Sequence, residues 1–435
     1  MLPLNVNLIK KEIVSLFKQE DHYQDFIPCG VSVVSLFDSV FQHISESIQH
    51  SETKDDQQQL QQQLDALIEL ANEKLLMYPY KDVPACWRCL LMDATLLKSF
   101  TLISSMEKEE TMQAKKHVAR ELIKILDVAL IVSGGPGPRR REFSLKLLDD
   151  LQQWLRPRKT NTQGRHLAIN SSATLPIIKH AITVLKEPPD YLWFEQHINQ
   201  KLATPLHLQC GLMNHWPACT TRPWTDIDYI LQLAGDRIVP IEIGSKYTDV
   251  CWQQKMVRME DFINDYIIPS NLDNQQDEKK KPIAYLAQHN LFDHIPLLEN
   301  DISIPDYCYA EPQSNEWYLQ RPPPDVIKHC WFGPKGTVSP LHQDPYHNLL
   351  AQVVGRKYIR LYSPIHSSAL YPYEGIMSNT SQVDIDDPDL ESYPRFAEAD
   401  YVECILKPGE ILYIPPKWWH YVQALDTSFS VSFWF

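Results

Sequence analysis

The sequence lacks several features that mark other classes of protein. Its 41 basic residues are outnumbered by 55 acidic ones, for a formal net charge of −14, which is unsuited to sequence-independent binding of nucleic acid. Its nine cysteines are irregularly spaced, which argues against a disulfide framework and favours a reducing compartment. No apolar run approaches transmembrane length, and Lys10, Lys11 and Glu12 interrupt the N-terminus before a signal-like core forms. We therefore expect a soluble intracellular protein.

The character of the sequence changes along the chain and indicates two domains. In the first part, apolar residues such as Leu60, Leu64 and Leu67 recur at helical spacing. Helices are predicted at 85–104, 112–132, 143–155 and 174–186. From Glu187 onward the chain is rich in proline and aromatic residues and has many short strand-like runs. The predicted fold class is α+β, with an all-helical domain at 1–185 and a second domain at 186–435.

Two histidines and one aspartate form the most informative pattern. His342 and Asp344 stand two residues apart in SPLHQDP, and residues i and i+2 of an extended chain project to one face. His420 follows the alternating run EILYIPPKWWHYV, which also predicts a strand. Two strands would then supply the two-His, one-carboxylate set of non-haem Fe(II) oxygenases. A His-x-Asp pair alone is a weak signal, because many proteins contain one by chance.

Two further residues strengthen this pattern. Asn348 lies at an even offset from His342 and returns to the same face if the chain stays extended. Lys357 begins the strand-like run KYIRLY, and an amine that points into a barrel needs an anionic partner. A dicarboxylate such as 2-oxoglutarate would supply that partner. The alternative is a surface lysine on an edge strand.

The region from about Pro188 to the C-terminus resembles the JmjC-domain 2-oxoglutarate oxygenases, and most of all their small-JmjC subfamily, that of Jumonji-domain-containing protein five or lysine-specific demethylase eight. The stretches that carry the resemblance include PIEIGSKYTDVCW, AYLAQHNLFDHIP, SPLHQDP, GRKYIRLYSP, LKPGEILYIPPKWWHYV and FSVSFWF. The resemblance implies a double-stranded β-helix, the jelly-roll architecture of cupins, with flanking helices and a barrel core at about 285–435. The N-terminal half shares with the subfamily only its helical character.

The resemblance also implies a role for each site residue. The catalytic Fe(II) is bound by His342, Asp344 and His420. The cosubstrate 2-oxoglutarate, which reacts with O2, is bound by Tyr285, Ser339, Asn348 and Lys357. Glu242 and Trp252 resemble residues that line the substrate pocket, and Gln288 and Trp331 are candidates for the same cleft. Without the resemblance, Glu242 would be interpreted as an ordinary strand charge and Trp252 as a core aromatic. An acidic group beside an aromatic face suits a guanidinium group, through a bidentate ion pair and stacking.

These residues lead to a preferred function and to alternatives. We expect hydroxylation of an arginyl side chain in a protein substrate, with succinate and CO2 as co-products. A histone methyl-lysine demethylase would use the same iron site. A non-catalytic chromatin scaffold would act through the helical domain instead. Histone-tail endopeptidase activity is disfavoured, because the sequence has no HExxH motif or nucleophile arrangement.

The expected partners and location follow from the same resemblance. The partner is a protein or peptide with an exposed arginine, and histone tails, chromatin proteins and ribosomal proteins are candidates. We expect neither sequence-specific binding of nucleic acid nor binding to a membrane. The expected compartment is the nucleus, with the cytoplasm as a second one. The helical domain is expected to bind a partner or to regulate the catalytic domain.

Other histidines and cysteines are given structural roles. His347 lies at an odd offset from His342, which turns it away from the metal face, and His329 is expected to pack within a strand. Cys86 and Cys89 form a single CxxC with no second ligand pair in the sequence. A structural zinc site needs further ligands, so two free thiols are the preferred interpretation.

Overall fold

The computed structural model describes residues 4–18, 22–47, 54–157, 164–167, 174–244, 246, 248, 252–268, 283–314, 318 and 321–435. The chain forms two compact units, the first comprising Met1–Thr162 with Gln232–Val239 and the second Gln163–Leu231 with Pro240–Phe435. This division differs from the predicted boundary at residue 185. It assigns residues 163–185 to the second unit and residues 232–239 to the first.

The N-terminal part of the chain is helical. Its described helices are α1 (Val6–Leu16), α2 (Val31–Ser47), α3 (Lys54–Leu76), α4 (Ala85–Lys108), α5 (Met112–Ser133) and α6 (Arg140–Leu155). Capping explains both ends of α5: the Thr111 side chain accepts a hydrogen bond from the Ala114 N–H, and Gly134 ends the helix with a φ of 81°. The helices predicted at 85–104, 112–132 and 143–155 are confirmed by α4, α5 and α6.

Helix α4 lies in the middle of this unit. It contacts α1, α3 and α5, and it buries residues around its whole circumference, as a central core helix does. Contrary to the expectation from the sequence, α4 is long and apolar enough to cross a membrane on length and composition alone. Because 67% of its apolar window is buried inside the protein, we interpret α4 as a core helix.

Buried acidic residues of the first unit are paired with arginines. Asp127 accepts hydrogen bonds from Nε and Nη2 of Arg237 at 3.0 and 2.8 Å. It also accepts one from the Ile238 N–H at 2.7 Å. Asp93 accepts from Nε of Arg140 at 3.1 Å. Burial nevertheless raises the pKa of Asp93 to about 7, because it outweighs the effect of Arg140. These pairs satisfy charges that would otherwise be costly to bury.

The helix predicted at 174–186 is wrong. Its end forms strand β1 (Thr183–Leu185), which pairs in parallel with β2 (Leu206–Leu208). Just before β1, the N–H of Glu403 donates to the carbonyl of His180 at 2.7 Å. Pro176 removes a helical donor, and the β-branched residues that follow favour extended backbone. The apolar pattern of 174–186 fits a helix or a strand, and strand pairing with distant segments of the chain therefore decides the structure.

The remaining chain alternates short helices with strands. The helices are α7 (Tyr191–Ile198), α8 (Ile227–Ala234), α9 (Met259–Phe262), α10 (Leu291–His294) and α11 (Pro296–Glu299). The strands are β3 (Ile238–Ile243), β4 (Gln253–Arg258), β5 (Ala284–His289), β6 (Ile327–Gly333), β7 (Val338–Gln343), β8 (Asn348–Val354), β9 (Lys357–Tyr362), β10 (Tyr401–Leu406), β11 (Ile411–Ile414), β12 (Trp419–Ala424) and β13 (Ser428–Trp434).

The described strands form two sheets. The larger has the order β1-β2-β11-β8-β13-β6-β5-β3-β4, and the smaller has the order β10-β9-β12-β7. Leu350 and Leu412 of the larger sheet share one apolar core with Ile359 and Leu361 of the smaller. The two sheets therefore pack as a jelly-roll sandwich. The predicted α+β fold, with a helical part followed by a cupin-like β domain, is confirmed.

Candidate metal and cosubstrate site

Two strands of the smaller sheet bring the predicted metal ligands together. His342 near the end of β7 is the direct partner of His420 in β12, and Asp344 follows the last residue of β7. The Nε2 atom of His342 lies 3.9 Å from Oδ1 of Asp344, and Nε2 of His420 lies 3.5 Å from Oδ2. One donor atom from each residue lies within 4.8 Å of the others. The three side chains converge as the sequence predicted.

Backbone carbonyls orient both imidazole rings. His342 Nδ1 lies 2.7 Å from the carbonyl oxygen of Pro340, and His420 Nδ1 lies 2.9 Å from that of Trp418. Each Nδ1–H donates to its carbonyl, which leaves the lone pair of Nε2 available to a metal. Burial, together with the neighbouring His420, lowers the pKa of His342 to about 4. The ring is therefore neutral near pH 7, as metal binding requires.

Asp344 completes the ligand set as a carboxylate. Burial raises its pKa, but the interactions with the neighbouring side chains of His420 and His342 outweigh burial and hold the pKa below its ordinary value. A β-bulge between His420 and Val422 adjusts how β12 meets β7 at this point, a common way to aim a side chain at a site. Two imidazoles and one carboxylate fit the ligand set of Fe(II) oxygenases.

The four predicted cosubstrate residues line the same cavity as the triad. Lys357 is 2% exposed, and its ammonium donates to the Tyr285 hydroxyl at 3.2 Å. Burial lowers the pKa of Lys357 to about 7. Among the described residues, no carboxylate lies within ion-pair distance of this amine. When protonated, this amine thus has no anionic partner among the described residues.

Other polar groups of the cavity also suit a bound dicarboxylate. The Tyr285 hydroxyl is hydrogen-bonded to Ser339, and burial raises its pKa far above the ordinary value, so it stays protonated as a donor. The Oδ1 atom of Asn348 is buried without a hydrogen-bond partner among the described residues. Buried polar atoms are normally satisfied, so this unused acceptor favours a donor such as water, and the opposite amide orientation would direct the NH2 group to a carboxylate. The cavity fits 2-oxoglutarate.

A cleft of about 480 Å³ opens next to the triad. It is lined by all four predicted substrate residues, Glu242, Trp252, Gln288 and Trp331, and by the cosubstrate and metal residues Tyr285, Ser339, His342 and Asp344. Glu242 in β3 pairs directly with Tyr285 in β5, and directly opposed residues of antiparallel strands share a face. The register therefore puts the Glu242 carboxyl group beside the cosubstrate cavity.

Glu242 and Trp252 contact each other in this cleft. The Trp252 Nε1–H donates to Oε2 of Glu242 at 3.2 Å. Burial raises the pKa of Glu242, and the indole hydrogen bond opposes the rise. Gln288 has a φ of 46°, next to a bulge between Leu286 and His289. This left-handed conformation is strained for a side chain other than glycine or asparagine.

Several cleft residues were not found from the sequence. Gln254 and Trp434 line the cleft, and so do Met377, Asn379 and Thr380 of a loop after β9. This loop reaches the site because Thr380 forms an isolated β-bridge with His342. No periodic pattern marks the loop, and its sequence signal is the stretch NTSQVD at 379–384, which resembles the family but predicts no contact with the site.

The histidines and cysteines given structural roles lie outside the ligand cluster. His347 Nδ1 lies 2.8 Å from the Tyr413 hydroxyl. The His329 ring packs edge-on against Trp434 with centroids 4.9 Å apart, and burial lowers its pKa to about 4. Cys86 and Cys89 are free thiols.

The fold and the possible ligand set are typical of one class of proteins, the cupin-like metal-dependent oxygenases. The family model of the cupin-like domain matches residues 195–435. JmjC domain-containing protein F of Dictyostelium discoideum is 31% identical over 384 residues, covering 73% of this chain and 79% of the relative. The chain belongs to the JmjC family of cupin-like proteins, whose members typically use Fe(II) and 2-oxoglutarate.

Two further relatives agree with the subfamily suggested by the sequence. Lysine-specific demethylase 8 of Xenopus tropicalis is 50% identical over 225 residues, which are 52% of this chain and 46% of the relative. Jumonji C domain-containing protein 5 of Drosophila melanogaster is 46% identical over 228 residues, which are 52% of this chain and 53% of the relative. The matches to these two relatives span about half of their length.

Proposed function

We propose that the protein is an Fe(II)- and 2-oxoglutarate-dependent oxygenase that hydroxylates an arginyl side chain of a protein substrate. The observation that carries the proposal is the carboxyl group of Glu242, which contacts an indole and faces the same cleft as the triad.

In this proposal each residue has a defined task. His342, Asp344 and His420 would hold the iron. The bound metal would supply the oxidative chemistry, in which 2-oxoglutarate and O2 give succinate and CO2 and a nearby C–H bond is hydroxylated. Lys357 in its protonated form, together with Tyr285, binds the distal carboxylate of the cosubstrate. Ser339 adds a second hydroxyl donor, and Asn348 supplies an amide near the keto-acid end.

Arginine fits the chemistry of the cleft. A guanidinium group has five N–H donors in a planar fork and remains charged at physiological pH. It can donate two hydrogen bonds to the Glu242 carboxylate and stack on the face of an indole such as Trp252 or Trp331. The bound cation would also oppose the rise in the Glu242 pKa that burial causes. The side chain would then be held rigidly for oxidation at one carbon.

A methyl-lysine demethylase is the second candidate. Two relatives that are 50% and 51% identical over 225 residues are named lysine-specific demethylase 8, and these names favour demethylation over arginine hydroxylation. A methylammonium group could also contact the aromatic faces of the cleft. It would use Glu242 less fully, because each methyl group removes a donor. This reaction would hydroxylate the methyl group and release formaldehyde.

The partner and the location are part of the same proposal. The substrate is a protein with an exposed arginine, such as a histone tail, a chromatin protein or a ribosomal protein, encountered in the nucleus and also in the cytoplasm. The helical unit would bind a partner or regulate the oxygenase.

Mass spectrometry of peptide products tests the two candidates. Peptide panels with arginine or methyl-lysine are incubated with the protein, Fe(II), 2-oxoglutarate and O2, and Asp344→Ala is the control. A gain of one oxygen on arginine that the variant lacks supports the hydroxylase. Loss of a methyl group with release of formaldehyde would instead assign demethylation. Absence of succinate and of iron binding would overturn the oxygenase assignment and leave a scaffold that acts through the helical unit.

A further inference from the structure

Lys246 lies in the connection from β3 to β4, between the cleft residues Glu242 and Trp252 in the sequence. It follows Glu242 by four positions and precedes Trp252 by six. Its ammonium donates to both carboxylate oxygens of Asp384 at 2.7 Å and lies 3.3 Å from Oδ2 of Asp386. The Lys246 side chain is 17% exposed, so two carboxylates hold a largely buried cation.

The two carboxylates are themselves fixed to the strand that carries a metal ligand. Oδ1 of Asp386 accepts a hydrogen bond from the Tyr421 hydroxyl at 2.5 Å, and Tyr421 follows His420 directly in β12. The Asp386 N–H donates to Oδ1 of Asp384 at 3.0 Å, which keeps both acids in one turn. Lys246 is thereby linked through Asp386 to β12.

The segment before these acids forms another part of the cleft wall. Asn379 and Thr380 line the cleft, and the Gln343 N–H donates to the carbonyl of Asn379 at 2.8 Å. Thr380 forms a β-bridge with His342. Residues 379–386 are thus attached to β7 at one end and to β12 at the other.

We propose that Lys246 is a positioning residue for the substrate, because its ion pairs with Asp384 and Asp386 fix the wall bearing Glu242 and Trp252 to the strands that bear the triad. We call this set of contacts the Lys246 clamp. It extends the proposed function, since the distance between the two walls determines which carbon of the bound side chain lies nearest the metal.

The Asp384 and Asp386 side chains are 48% and 42% exposed. Salt therefore weakens the clamp, which makes it a modest restraint.

Hydrogen–deuterium exchange of the full chain without substrate tests the clamp directly. Lys246→Gln removes the charge, and Lys246→Arg keeps it. We expect amide exchange in both 252–258 and 379–386 to become roughly two- to fivefold faster in Lys246→Gln, and to remain near the original rate in Lys246→Arg. Unchanged exchange, or faster exchange in 252–258 alone, would overturn the clamp.

Kinetics then connect the clamp to the substrate. With a peptide identified by mass spectrometry, Lys246→Gln should raise the peptide KM roughly two- to fivefold, with a smaller change in kcat. The exchanged pair Lys246→Asp with Asp384→Lys should recover part of the loss, because opposite charges again face each other. A KM equal to that of the unaltered protein would refute the positioning role. If no peptide is turned over, the proposed function fails, and the exchange rates still decide whether the clamp exists.

Discussion

Two paired acids of the helical unit and one buried amine of the β unit differ in how their charge is held. In the helical unit, Asp127 and Asp93 are each hydrogen-bonded to an arginine. In the β unit, Lys357 is equally buried, but its partner is a tyrosine hydroxyl. An unpaired buried charge reduces stability, and a fold retains one where a ligand completes it. We infer that a buried charge with an ion-pair partner serves the structure, whereas a buried charge without such a partner serves to bind a ligand.

The strongest test of this comparison is Asp344→Ala. Loss of the only carboxylate in the ligand set should reduce iron binding and succinate production to background. This loss should be larger than the about 10- to 100-fold loss expected when a residue hydrogen-bonded to a metal ligand is removed. The melting temperature should change little, because this carboxylate serves the metal. Exposed Asp387→Ala is the control and should retain turnover. An iron-loaded, active Asp344→Ala protein would contradict the assignment.

In the helical unit, Asp127→Ala should affect stability instead. Removal of one partner of a buried pair leaves Arg237 uncompensated and should lower the free energy of unfolding by about 3–5 kcal/mol. Thermal or urea unfolding measures the change. Exposed Asp82→Ala should change it by less than about 0.5 kcal/mol. Equal effects of the two substitutions would remove the distinction between paired and surface acids.

Lys357→Met should weaken cosubstrate binding while sparing the fold. Loss of a charge-assisted hydrogen bond in the cavity should raise the KM for 2-oxoglutarate roughly 10- to 100-fold. Without cosubstrate the variant should melt no lower than the original, because the substitution removes an unpaired buried amine. Exposed Lys335→Met is the matched control. A marked loss of stability with an unchanged KM would make Lys357 a structural charge.

Glu242→Gln should reduce arginine recognition by a smaller factor. It keeps the shape of the side chain but loses the charge, so the KM for an arginine peptide should rise roughly tenfold. Turnover of peptide measured by mass spectrometry gives this value, with exposed Glu398→Gln as the control. A methyl-lysine peptide should be affected less. The reverse order of effects would favour the demethylase.

The pKa of Lys357 predicts the smallest effect, a pH-dependent uptake of protons. Because burial lowers this pKa to about 7 from an ordinary 10.5, much of the amine is neutral at pH 8, and binding of a dicarboxylate should take up about one proton. Calorimetry in two buffers of different ionisation enthalpy measures the uptake, and Lys357→Met should abolish it.

The same shift predicts how stability depends on pH. The folded pKa lies below the unfolded value, so the unfolded chain holds more protons between about pH 7 and 10. Stability of the cosubstrate-free protein should therefore rise over this window relative to Lys357→Met. An identical pH dependence in both proteins would show that the amine titrates normally.

Much of the site could be predicted because its residues follow strand periodicity. His342 and Asp344 are separated by two positions, and Lys357 begins a β-branched and aromatic run, so backbone geometry alone places their side chains. The predicted helix at 174–186 failed because its apolar residues fit a helix and a strand equally well. Pairing of β1 with β2 decided the outcome.

The sequence by itself determined the α+β class and predicted which residues converge as the triad and line the cosubstrate cavity, because short-range spacing and distinctive motifs carry that information. Only the tertiary structure decided which loop closes the substrate cleft and what holds its walls together. Lys246 and Asp384 are 138 positions apart, and no local pattern marks them as partners. Their contact exists because the two sheets of the sandwich bring separate connections to one side of the site.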